Sequence, residues 1–271
     1  MSRISRWMRA PAAERKRLLV KKAAEQKSLA KHNLQRAPFR LGMSNAANLY
    51  LAYQPDSQAV FGQHPIEFKD LHRRFLSTNR ANNGGDWPRF WSLVLNLKQI
   101  FDDNVEGDLA ELGVWRGNTA AVLAHFGDLH GRNVDLFDTF EGFDKRDLTG
   151  VDADKDRDFS DTSIDHVRQV IGEPSRVCRF YPGWFPQSLA AEHDSARYCA
   201  VSLDCDLYDP MKAGLDFFYP RLSPGGLLML HDYSSGHWPG AKQAIDEFCK
   251  EAGERVVLMP DKSGSAFIRR A

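Results

Sequence analysis

The chain has 271 residues, of which 42% are hydrophobic, 11% aromatic and 27% charged, a composition that excludes a mostly disordered or fibrous protein. Lysine and arginine number 36 and aspartate and glutamate 36, so the zero balance does not suggest a dedicated nucleic-acid binder.

The charge is unevenly spread. Residues 1–40 carry twelve basic residues against Glu14 and Glu25, a net of +10, which leaves −10 for the remaining 231. Such an arm can be a solvated helix closing the fold. It can also dock on its own body, on a partner subunit, or on anionic lipid or nucleic acid; set against an acidic body it suggests a homo-oligomer. Cys178, Cys199, Cys205 and Cys249 are widely spaced without a CxxC pair, which points to reduced thiols in a cytoplasmic protein. No apolar stretch approaches the ~20 residues that span a bilayer. The opening Met1–Arg6 leads into charged sequence rather than the apolar core of a secretory signal.

In chain order, residues 11–34 read as a helix rich in Ala, Leu, Lys and Glu. Residues 35–85 are mixed and close with a turn at Gly84-Gly85. From Trp87 to Phe101 the apolar residues recur every three or four positions, as in an amphipathic helix. Beyond residue 107, short apolar runs at 108–114, 134–137, 177–181, 198–203, 227–230 and 256–259 alternate with helical stretches at 119–126, 163–171, 210–219 and 241–252. Strand and helix in alternation imply a parallel sheet covered on both faces. Between the run at 256–259 and the last strand, 265–269, the chain is too short for a crossover helix, so these two form an antiparallel hairpin. Seven strands, mostly parallel and ending in that hairpin, with helices before them, predict an α/β class I methyltransferase fold. Residues 1–74 form the basic arm and cap, and 75–271 the catalytic domain.

In an open parallel sheet, ligands bind beyond the carboxyl ends of the strands. The first strand runs into Glu111-Leu112-Gly113-Val114-Trp115-Arg116-Gly117-Asn118, where Gly113 and Gly117 permit a tight turn and close approach of a ligand. Neither G-x-G-x-x-G nor G-x-x-x-x-G-K-[ST] occurs there, which weakens dinucleotide and ATP readings. An acid beside the turn repels a pyrophosphate but pairs with the α-amino group of S-adenosylmethionine. Asp138, at the end of the second strand, is placed to accept both ribose hydroxyls of an adenosine.

Asp152, Asp154, Asp156 and Asp158 alternate like a calcium loop, but Arg157 and Ser163 occupy its glycine and glutamate positions. The stretch reads as a solvated loop over the site. The fourth and fifth strands end in Asp204-Cys205-Asp206 and His231-Asp232. Carboxylates so crowded require solvent, partners or a metal. An oxygen-rich set suits Mg²⁺, and the histidine also admits Mn²⁺, Fe²⁺ or Zn²⁺. Among the aromatics, Phe90 and Trp91, at helical spacing with Val94, read as core or interface, Trp184 as near the cofactor and Trp238 as on the substrate side.

In order along the chain, E-L-G-V-W-R-G-N, D-T-F-E-G-F, P-G-W-F-P-Q-S-L, S-L-D-C-D-L-Y-D-P and L-S-P-G-G-L-L-M-L-H-D-Y resemble the macrocin O-methyltransferase family over residues 75–270. The resemblance implies an S-adenosylmethionine- and Mg²⁺-dependent enzyme that methylates a sugar hydroxyl of a small-molecule or glycan acceptor. It implies cofactor contacts at Glu111, Gly113, Gly117, Asn118 and Asp138, with Ser160 near the adenine. It also implies metal ligands at Asp204 and Asp232 and a general base at Asp206. The family reads D-D-Y where this chain has His231-Asp232-Tyr233, so His231 is either a metal ligand or a partner of Asp206 in proton transfer. The alternatives are the same fold with metal-independent chemistry, or a non-catalytic methyltransferase-like scaffold.

Overall fold

The computed structural model describes residues 66–156 and 159–271. The predicted helix at 11–34 and the rest of the basic arm lie outside the described residues. Three helices precede the sheet: α1 (Phe68–Leu76), the single turn α2 (Arg80–Asn83) and α3 (Trp87–Asp102). The expected boundary after residue 74 falls within α1. Gly84 and Gly85 form the predicted turn. α3 begins where expected because Asp86 accepts a hydrogen bond from the Arg89 amide (3.3 Å) and Pro88 stands in the first turn, where its missing N–H costs nothing. Phe90, Leu93, Val94, Leu97 and Ile100 form its buried face, so Phe90 and Val94 belong to the core.

The sheet has seven strands: β1 (Asp108–Leu112), β2 (Val134–Asp138), β3 (Cys178–Pro182), β4 (Tyr198–Leu203), β5 (Leu222–Leu230), β6 (Val257–Leu258) and β7 (Ala266–Arg269). Their order is β3-β2-β1-β4-β5-β7-β6, and only β7 runs antiparallel to its neighbours. The central strands are apolar because both faces are covered, with every residue of β4 buried. Helix α4 (Asn118–His130) follows β1 and packs against α1, α3 and α5 (Ile164–Ile171). Across the sheet, α6 (Tyr208–Arg221) packs against α7 (Pro239–Ala252).

Two local expectations are corrected. Ser223-Pro224-Gly225-Gly226 precedes the strand expected at 227–230 but lies inside β5. Tyr198 pairs with Leu222 and Ala200 with Leu227, so β4 advances two residues while β5 advances five. The excess is absorbed as a bulge, with Gly225 at φ +79°. Asp152, read as solvated, is fully buried. Its Oδ2 accepts the amide of Tyr208, the first residue of α6, at 2.7 Å, because the opening turn of a helix has amides without internal partners. Asp154 and Asp156 are exposed as expected.

Candidate active site

Register sets four strand ends in one row. Leu112 of β1 pairs with Phe137 of β2 and Leu203 of β4, and Leu203 pairs with Leu230 of β5. The next residues continue the ladder: Gly113 N donates to Phe137 O (3.0 Å), Asp204 N to Leu112 O (2.9 Å) and His231 N to Leu203 O (2.9 Å). Gly113, Asp138, Asp204 and His231 therefore open side by side into one cavity, which Glu111, Gly113, Asn118, Asp138, Asp204, Asp206, His231 and Asp232 help to line. It sits at the carboxyl edge of a parallel sheet, where ligands of such folds bind.

The half nearest β1 and β2 suits a cofactor. Glu111 is buried, its Oε2 has no hydrogen-bond partner among the described residues, and desolvation raises its pKa well above the usual carboxylate value, with Asp204 adding to the rise. A cationic group arriving there removes both penalties. Asp138 accepts from the Val114 and Trp115 amides (2.7 and 2.9 Å) and, through its other oxygen, from Phe140 (2.6 Å), so it also fixes the turn after β1. Gly117, at φ +79°, starts α4 against Val167. Asn118 reaches the cavity, but its amide is engaged: Nδ2 donates to Arg74 O (3.0 Å) and Oδ1 accepts from Thr78 (3.1 Å), tying α1 to α4. Ser160 is exposed and does not line the cavity, whereas its neighbour Phe159 does.

At the other half, His231 Nδ1 lies 2.6 Å from both Asp204 Oδ1 and Asp232 Oδ2. One ligand atom from each of Asp204, Asp206, His231 and Asp232 falls within 4.8 Å of the others. The protonated imidazole of His231 and Arg89 hold the Asp204 carboxyl far below its usual range against desolvation, and Asp204 and Asp232 lift His231 to about 9 despite its burial and the nearby Arg89. Desolvation raises Asp206 well above the ordinary carboxylate value, and Asp232 and Asp204 repel its charge further. Asp206 and Asp232 leave their strands at φ +62° and +58°, a conformation aspartate tolerates better than most residues and one that concentrates at functional sites.

Sequence reasoning missed Arg89. Its guanidinium reaches from α3 to Asp204 Oδ2 (2.7 Å) and Thr119 Oγ1 (3.2 Å), and its side chain is 11% exposed. The only signal was one cation among the apolar residues at the start of α3. Asp147 was also missed in the acid-rich loop. It is buried on the cavity wall and accepts the Trp184 indole N–H at 2.9 and 3.0 Å, which accounts for Trp184 lining the cavity. Trp238 lines it too, against Phe143 and Phe159 at ring-centroid distances of 5.5 and 6.0 Å.

Burial pushes the Asp147 carboxyl up to about 6, against ~3.9 in an unfolded chain. The folded state therefore binds this proton more tightly, and the group's contribution to stability falls as pH rises from about 4 through about 6. Trp184 emission should titrate with a midpoint near 6 in the wild type, and Asp147→Asn should lose that transition and gain most in Tm above pH 7. An emission titration that is identical in the variant disproves the assignment.

Residues 67–259 match the family model described as Macrocin-O-methyltransferase (TylF). The chain belongs to this family. The 8-demethyl-8-(2,3-dimethoxy-alpha-L-rhamnosyl)-tetracenomycin-C 4'-O-methyltransferase of Streptomyces olivaceus is 32% identical over 174 residues, 56% of this chain and 66% of the relative. Mycinamicin III 3''-O-methyltransferase of Micromonospora griseorubida is 26% identical over 220 residues, 70% of this chain and 83% of the relative. The solved structure of the O-methyltransferase NovP superposes with a TM-score of 0.58 at 25% identity, covering 68% of this chain and 80% of that one. As a macrocin-O-methyltransferase family member the chain is an S-adenosylmethionine-dependent O-methyltransferase with the class I fold expected above. No helix among the described residues is long and apolar enough to cross a membrane.

Proposed function

We propose that this enzyme methylates a hydroxyl of a sugar carried by a glycosylated small molecule, with a divalent cation assisting. The observation that carries the reading is the convergence of Asp204, Asp206, His231 and Asp232 in the same cavity as Glu111 and Asp138. It is supported by relatives whose names place the methyl group on a rhamnosyl 4' position and on a 3'' position.

The cofactor supplies a methyl group on a sulfonium, open to in-line attack by oxygen. Glu111 would receive its ammonium group and Asp138 its ribose hydroxyls, after giving up part of its hold on the β1 turn. The metal-side residues fit a cation: His231 Nδ1 lies close to two carboxylates yet makes no aligned hydrogen bond with either, and Nε2 has no partner among the described residues. Asp204, His231 and Asp232 would hold the ion, which would lower the pKa of a coordinated hydroxyl and fix its direction. Asp206 is the general base, since it neighbours these residues and has no ion pair among the described residues. His231 shares that role only where no ion is held and only once it is deprotonated, because neither a ligating nor a protonated imidazole can accept the proton.

The basic N-terminal segment set against an acidic remainder supports self-association, and the zero net charge gives no reason to expect a nucleic-acid partner. Cytoplasmic residence is consistent with four unpaired cysteines.

Calorimetric titration with S-adenosylhomocysteine, first in EDTA and then with a divalent cation, tests the core of this reading. Micromolar cofactor binding without metal and a separate metal signal that Asp204→Asn abolishes are expected, with turnover then found among acceptors bearing vicinal diols. Cofactor binding without any metal signal would remove the cation and leave Asp206 and His231 to carry catalysis. No cofactor binding would favour the scaffold.

A further inference from the structure

We infer that the ion pocket of this chain selects a first-row transition cation, of the Mn²⁺, Fe²⁺ or Co²⁺ kind, over Mg²⁺. The inference rests on the cation-assisted reading above and concerns which ion the residues prefer.

Two features of the pocket work in the same direction. The first is the donor at the end of β5. Asp204 Oδ1 and Asp232 Oδ2 each lie 2.6 Å from His231 Nδ1, so an ion reached by both carboxylates also meets an imidazole nitrogen. That nitrogen is paired with these two carboxylates and Nε2 has no hydrogen-bond partner among the described residues, so nothing there commits the ring to a role outside the ion pocket. Mg²⁺ dehydrates reluctantly and prefers anionic oxygen, whereas imidazole adds affinity along the series from Mn²⁺ towards Cu²⁺.

The second feature is Arg89. Its guanidinium takes Asp204 Oδ2 at 2.7 Å and is braced by Thr119 at 3.2 Å. Asp204 is left with one oxygen to offer, and a permanent positive charge stands behind it. The pocket thus presents fewer uncompensated oxygens than its three aspartates suggest. A hard cation bound mainly by charge loses most from this arrangement, and a cation that gains from nitrogen loses least. Arg89 also fixes the direction of the remaining oxygen, the kind of outer support that sets affinity at metal sites.

The test uses the full-length protein with S-adenosylhomocysteine bound, so that cofactor affinity reports an intact fold independently of the metal. Direct titrations with Mn²⁺ and Mg²⁺, the former followed by electron paramagnetic resonance, give the affinity ratio. In the wild type Mn²⁺ should bind at least about 100-fold more tightly, and His231→Asp should shrink that ratio by roughly tenfold or more. Spin-echo modulation from an imidazole ¹⁴N should appear in the Mn²⁺-loaded wild type, which covers the case of a variant that misfolds. Equal affinity for the two ions, an unchanged ratio in His231→Asp, or the absence of nitrogen modulation would each overturn the inference while sparing the cation-assisted reading. Binding of neither ion with the cofactor still bound would overturn both.

Discussion

Asp206→Asn should lower kcat by ~10²–10⁴-fold, the usual scale for losing a positioned base, with S-adenosylhomocysteine affinity held within a few-fold. Asparagine has the same shape and tolerates φ +62° about as well as aspartate, so the turn after β4 is preserved while the proton acceptor is lost. The carboxylate is suited to the task because burial and two neighbouring acids raise its proton affinity. A sugar hydroxyl is a very weak acid, and a base serves it best when its pKa is raised towards the working pH without passing it. Steady-state kinetics beside cofactor calorimetry separate the cases. Loss of cofactor binding would place Asp206 in the cofactor half of the cavity, and retained turnover would move the proton to His231 or to solvent.

The largest structural effect is expected from Gly113→Ala. Gly113 sits at φ +87°, and a Cβ there would lie 2.1 Å from Asp204 O and 2.6 Å from its carbonyl carbon. Both atoms are backbone, so no side chain can rotate away. The ends of β1 and β4 would have to separate, and these ends carry Glu111 on one side and Asp204 on the other. Overpacking and a left-handed alanine together cost ~2–5 kcal/mol, or a Tm lower by roughly 5–15 °C for a domain of this size. Gly85→Ala is the control: φ is +74° there too, but a Cβ would meet none of the described residues within 4 Å, so only ~1–2 kcal/mol of conformational strain applies. Thermal unfolding of both proteins checks the argument, and equal Tm values would mean that close approach at Gly113 is not what requires glycine.

Much of this molecule was readable before any coordinates. The strands β1, β2 and β4 are apolar runs because both faces of a parallel sheet are covered, and burial on both faces leaves a signal in composition alone. The final hairpin followed from chain length, since no crossover helix fits between β6 and β7. Asp138, Asp204 and His231 could be nominated because each is the last residue of a strand or the first beyond it, where side chains turn to the ligand. The bulge in β5 was not readable: Ser-Pro-Gly-Gly carries the same turn signals whether it ends a loop or is taken up within a strand. Nor was the burial of Asp152, since it depends on the start of α6, 56 residues away.

The sequence by itself determined which chemical groups this protein has and in what order they reach the sheet's edge: an acid at the end of β1, an acid at the end of β2, two after β4, a histidine and an acid after β5. Only the tertiary structure decided how those groups neutralise one another. Arg89 is separated from Asp204 by 115 positions, yet their nitrogen and oxygen lie 2.7 Å apart, and among the described residues Asp206 has no such partner. Coulomb energies and desolvation depend on distance and burial, and the spacing of residues along a chain records neither.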